Sequence, residues 1–62
     1  MLKGKKVKVY DGELIGWTTG VIIEEVDKIR VKIKTKEDYE LTRILRDSNS
    51  KIQKDGSAYL IE

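Results

Sequence analysis

Valine and lysine alternate from Lys5 to Tyr10. Val7 and Val9 fall on one face and Lys6, Lys8 and Tyr10 on the other, the period of two that predicts a half-buried β-strand. Asp11-Gly12 is a turn signal, and no period is sustained through Gly16, so a loop is expected there. From Trp17 to Glu25 the residues are rich in β-branched types that suit a pleated surface, which predicts a second strand. Gly20 inside it marks either a bulge or a place where another backbone comes close. Ile29, Val31 and Ile33 then alternate with Lys28, Arg30, Lys32 and Lys34, the clearest strand pattern in the chain, with the hairpin turn around Val26-Asp27-Lys28.

Register in this hairpin is constrained by parity, because a one-residue slip moves every side chain to the opposite face. With Val21 and Ile23 on the face of Val31 and Ile33, a three-residue loop sets Ile23 across from Val31 and Glu24 across from Arg30. A two-residue turn at Asp27-Lys28 sets Val26 across from Ile29 and Glu25 across from Arg30. Both predict a glutamate facing Arg30. After a turn at Lys36-Glu37-Asp38, the segment Tyr39 to Arg46 reads as a fourth strand, alone or with a short turn. A helix competes for it, since Thr35 and Asp38 have capping-box spacing and Leu41, Ile44 and Leu45 have the i, i+3, i+4 spacing of a helical face. A loop at 47–50, a turn at Asp55-Gly56 and a last strand from Ser57 to Ile61 complete the pattern.

Five or six short strands with frequent turn signals predict an all-β fold, a small barrel closed so that no sheet edge is left to aggregate, with room for one short helix or 3-10 turn near residues 37–46. At 62 residues the chain has room for one domain. A chain this short buries only about 60% of the surface its unfolded form exposes. Cysteine and histidine are both absent, which closes the disulfide and most metal routes to extra stability and leaves an aliphatic core, extended in one reading by a homodimer interface. The absence of proline keeps every backbone N–H available for a ladder. The charged fraction, 39%, is matched by 39% hydrophobic residues in periodic segments, which favours folding over disorder. No apolar run approaches the roughly 20 residues of a membrane span, and the lysines of the first ten residues do not suit a signal peptide. The expectation is a cytoplasmic protein used whole, without a membrane partner.

The order Gly4-Lys5-Lys6-Val7-Lys8-Val9, then Gly12, Gly16, Gly20 and Val21, then the strand from Ile29 to Ile33, resembles SH3-like barrels of the KOW and Tudor type. The resemblance covers the N-terminal half. It implies an SH3-like barrel acting as a binding module: KOW domains are associated with RNA, ribosomes and transcription complexes, and Tudor domains with methylated lysine or arginine. Neither carries catalysis.

Read from the residues alone, the chemistry points the same way. Without histidine or cysteine there is no ordinary general base near neutral pH and no thiol nucleophile. The glycines do not form a phosphate-binding fingerprint, no acidic spacing resembles a calcium loop, and no cofactor is implied. Charge is strongly segregated behind a net +2. Residues 1–10 carry four lysines and no acid, residues 11–27 five acids and no base, and residues 28–36 five bases and no acid. Lys28, Arg30, Lys32 and Lys34 share one side of their strand, a stripe able to follow a phosphate backbone. The competing reading is a solvated face neutralised by Glu24 or Glu25 and by Glu37, Asp38 and Glu40. Tyr10 shares its face with Lys6 and Lys8, and Trp17 is either core or a ligand platform; both suit base stacking or a cation cage. Tyr39 and Tyr59 are expected at the core or its margin. The candidate contacts to DNA or RNA are therefore Lys6, Lys8, Tyr10, Trp17, Arg30, Lys32 and Lys34, and the alternative partner is a protein or a second copy of the chain.

Overall fold

In the computed structural model, residues 2–46 and 51–61 are described. Five strands close into a barrel in the order β1-β2-β3-β4-β5: β1 Lys6–Tyr10, β2 Trp17–Glu25, β3 Arg30–Thr35, β4 Glu40–Arg46 and β5 Ala58–Leu60. The first four pair antiparallel in sequence order, β5 pairs antiparallel with β1, and a short parallel contact of β4 with β5 closes the ring. This is the small all-β, SH3-like barrel expected. The expected loop at 47–50 lies outside the described residues.

Alternation does what the sequence requires of it in β1 and β3. Val7 and Val9 point inward, as do Val31 and Ile33, and with Ile22 and Ala58 they fill the interior. Leu2, Leu45 and Leu60 pack against that cluster. Each such aliphatic side chain contributes about 1.5–3 kcal/mol on full burial.

The strand β2 departs from the expected parity. Its inward residues are Thr18, Gly20 and Ile22, because β1 pairs Val9 with Thr18 and Val7 with Gly20, so Val21 faces outward. Gly20 is a point of close approach: a Cβ there would lie 2.5 Å from the Lys34 carbonyl oxygen and 2.7 Å from Ile33 Cγ2. The bulge lies three residues further on, where the register steps from Ile22 opposite Ile33 to Glu24 opposite Lys32, leaving Ile23 as the additional residue. That extra residue moves both glutamates one position along. Glu24 faces Lys32, Glu25 faces Val31, and neither faces Arg30, contrary to the expectation from parity.

Asp27 takes the place of those glutamates. Its Oδ1 accepts the backbone N–H groups of Ile29 at 3.0 Å and Arg30 at 2.9 Å, while Oδ2 accepts the Arg30 guanidinium at 2.9 and 2.7 Å. One carboxylate thus builds the β2–β3 turn. Its pKa falls to about 2, chiefly through the Ile29 N–H bond and then the Arg30 side chain. Ile29, expected on the buried face, belongs to this turn and is 58% exposed, since β3 begins only at Arg30.

Residues 40–46 form a strand, not a helix, because each backbone position from Glu40 to Ile44 finds a partner on β3. Leu41 and Leu45 turn toward the interior and Ile44 toward solvent. The turn before β4 closes with Asp38 N–H donating to the Thr35 carbonyl at 2.9 Å, and Asp38 adopts φ +74°. Among the described residues the one short helix, α1 Gly12–Ile15, falls where a loop was expected, and none lies within 37–46. Glycines with positive φ bracket it, and the Asp11 N–H bonds the Gly16 carbonyl at 2.9 Å across its neck. Among the described residues no helix is long and apolar enough to cross a membrane.

Candidate functional site

The outer surface of β1 and β2 collects most of the candidate residues. Pairing sets Tyr10 beside Trp17, Lys8 beside Thr19 and Lys6 beside Val21, and the next pairing places Lys34 on the far side of Val21. A continuous face follows from these pairings, aromatic at one end and basic along its length.

At the aromatic end, the Tyr10 and Trp17 rings meet edge to face, centroids 5.5 Å apart at 68°. Trp17 remains 38% exposed, so it is a surface platform and not core. The Lys8 ammonium lies over the Trp17 ring and the Lys54 ammonium over the Tyr10 ring, each 5.2 Å from the centroid. Lys54 was not among the sequence candidates, because it reaches Tyr10 only through tertiary structure. Tyr59, buried opposite Lys8, donates its hydroxyl to Asp55 at 3.1 Å and accepts the Gln53 N–H at 3.1 Å, which ties the 53–55 segment to β5.

Toward the other end the surface dips into an open groove of about 480 Å³. Its lining brings Gly20, Val21 and Ile61 together with Lys6, Lys34 and Lys36. Lys36 is held there by its backbone N–H, which bonds the Thr19 carbonyl at 2.9 Å, and Ile61 by an N–H bond to the Lys6 carbonyl at 3.1 Å. Strand parity alone does not reveal this role for Lys36, which lies beyond the end of β3.

The remaining candidates are neutralised in place. Arg30 is committed to Asp27, and Lys32 stands between Glu24 at 3.8 Å and Glu40 at 3.9 Å. Lys34 shares its charge with the highly exposed Asp38 at 3.4 Å. Such exposed pairs contribute little to stability, about 0–1 kcal/mol each, yet they screen the field of the stripe. Among the described residues, Lys6, Lys8, Lys36 and Lys54 form no ion pair with a carboxylate.

A second polar cluster centres on Asp11, the residue after Tyr10. The Tyr39 hydroxyl donates to Asp11 Oδ2, and Arg43 Nη2 donates to Asp11 Oδ1 at 3.3 Å. Because ionised tyrosine cannot donate to Asp11, the Tyr39 pKa rises to about 12, with desolvation adding to the effect. Thr18, buried, donates to Glu37 and so ties β2 to the turn before β4. These contacts pin the loops around the barrel. Among the described residues no cluster of acidic side chains has the arrangement of a metal site.

Comparison with known proteins finds no family model, no curated protein and no solved structure that matches this chain.

Proposed function

We propose that this chain is a non-catalytic module that binds nucleic acid through the outer face of β1 and β2. The observation that carries the reading is the juxtaposition of an exposed Trp17 and the half-buried Tyr10 packed on it with Lys6, Lys8, Lys36 and Lys54, none of the lysines in an ion pair among the described residues. Phosphate contacts come from the lysines and stacking from the rings. Arg30 and Lys32 drop out of the contact set, because using them for phosphate means giving up existing carboxylate partners. Lys34 contributes in part.

Magnitudes favour a nucleotide over the present cation–π contacts. An exposed ammonium on a ring is worth about 0.5–1 kcal/mol, against about 1–3 kcal/mol for a stacked base. A base displacing Lys8 from Trp17 also frees that ammonium for a phosphate. The same geometry disfavours methylated lysine, the Tudor ligand, since a cation entering here meets two ammonium groups already in place.

With about four phosphate contacts, log K falls with log salt at a slope of about −2.8 for a single strand and about −3.6 for a duplex. For the single strand this is an affinity loss of roughly 50-fold between 50 and 200 mM salt. Fluorescence anisotropy with labelled DNA and RNA over that range tests it. No binding at low salt, or binding indifferent to salt, overturns the proposal.

A second reading has its own observation. Val26, Ile29 and Ile44 are all exposed at the β2–β3 end of the barrel, where Ile44 pairs with Arg30 and the Val26 N–H bonds the Arg30 carbonyl. That apolar cluster suits a protein contact or a second copy of the chain. Sedimentation equilibrium tests the second copy: a monomer at high concentration removes it.

A further inference from the structure

We infer that the ligand is a single strand lying along β1 and β2, with one base on Trp17 and another against Val21 in the groove. This rests on the nucleic-acid reading and specifies the form of the ligand and its length. The lining of the groove combines apolar Val21 and Ile61 with three lysines, which complements a group that is flat and apolar in one part and anionic in another. A nucleotide has that character only when its base is unpaired. In a duplex the bases are stacked inward, and the phosphates reach the lysines while leaving Gly20, Val21 and Ile61 without a partner. The volume, about 480 Å³, lies within the range of sites that accept small organic ligands.

The two subsites are on one strand and one face. Trp17, Thr19 and Val21 alternate outward along β2, and four residues of strand span about 13 Å. A stacked strand advances 3.4 Å per nucleotide, so this distance is about four steps, or five nucleotides when fully stacked and four or fewer once the bases splay. Lys8 is paired with Thr19, midway between the subsites, where it can hold the connecting phosphate. Lys6 and Lys34 flank Val21 and hold the phosphate beside the second base.

Trp17 is the only tryptophan, so its fluorescence reports the first subsite directly. The test titrates the protein at low salt with oligothymidylates of two and four nucleotides, with a duplex, and with two tetranucleotides made abasic at one end or the other. The tetranucleotide is expected to bind at least about tenfold tighter than the dinucleotide and than the duplex, within what one added stacked base supplies. Both abasic tetranucleotides are expected to lose about tenfold, one with loss of Trp17 quenching and the other with quenching retained. Abasic ligands that bind like the intact one, or a duplex that binds as tightly, overturn the two-subsite strand while salt-dependent binding upholds the broader proposal. If no oligonucleotide binds, both fall.

Discussion

Replacing Gly20 with alanine tests the packing that brings the site together. The added Cβ would lie 2.5 Å from the Lys34 carbonyl oxygen, 2.7 Å from Ile33 Cγ2 and 3.0 Å from Thr35 Cα. Ile33 Cγ2 belongs to a side chain, but Ile33 is fully buried, so its rotation disturbs the core. The other two atoms are β3 backbone in the Gly20–Thr35 register pair and can retreat only if the strand shifts. Overpacking of this kind costs about 1–3 kcal/mol. The alanine recovers about 0.4–1 kcal/mol by restricting the unfolded chain. The clash involves backbone, so the upper part of the first range applies and the net loss is about 2 kcal/mol. A chain of this length has total stability of about 3–9 kcal/mol, making the loss a large fraction of it. Melting should fall by roughly 8–16 °C. Guanidinium denaturation followed by circular dichroism should show a lower midpoint at unchanged slope. A variant within about 0.5 kcal/mol of the parent would mean that β3 does not approach β2 as closely as described.

Acid titration followed by NMR should find the Asp27 carboxyl titrating near 2. Because its folded pKa lies below the ordinary 3.8, its contribution to stability is fully present above that value and is lost as pH falls toward 2. Asp27→Asn should flatten that acid limb, and an Asp27 titrating at the ordinary value removes the turn argument. At the alkaline end Tyr39 is raised above the ordinary 10, so its contribution is intact below pH 10 and is lost as pH climbs to about 12. Ultraviolet difference titration should show Tyr39 ionising at about 12, and Asp11→Asn should bring it down toward 10; no change in that variant refutes the hydrogen bond as cause. Lys8→Gln should flatten the salt slope of single-strand binding by about 0.7, whereas Arg30→Gln should leave it unaltered. Equal effects of the two would put Arg30 back among the phosphate contacts. Trp17→Ala should weaken binding by about 1–3 kcal/mol while leaving the circular dichroism spectrum unchanged.

Much of the barrel was written locally. Alternation in Lys6–Tyr10 and Arg30–Thr35 announced two strands and their buried valines, because side-chain parity depends only on a residue's immediate neighbours. The bounds of β2, the 36–38 turn and the Asp55-Gly56 turn were legible from local residue types, β-branched in the strand and turn-forming in the loops. Pairing lies beyond parity. A single extra residue at Ile23 rerouted both glutamates and left Arg30 to Asp27, and no local pattern encodes where a bulge will fall. The choice of strand over helix for 40–46 likewise came from the β3 edge waiting beside it, since its apolar spacing served either form.

The candidate site divides in the same manner. Lys6, Lys8 and Tyr10 on one face of β1 were evident from the sequence, as was the segregation of charge. Tertiary structure alone decided which charges met carboxylates, because neutralisation depends on carboxylates arriving from other strands, as Glu24 and Glu40 do at Lys32. It also carried Lys54 to Tyr10 across more than forty residues of chain and set Lys36 at a groove lined from distant segments, among them Val21 and Ile61. The basic stripe that alternation emphasised on β3 is largely cancelled, and the basic face that remains was assembled by barrel closure.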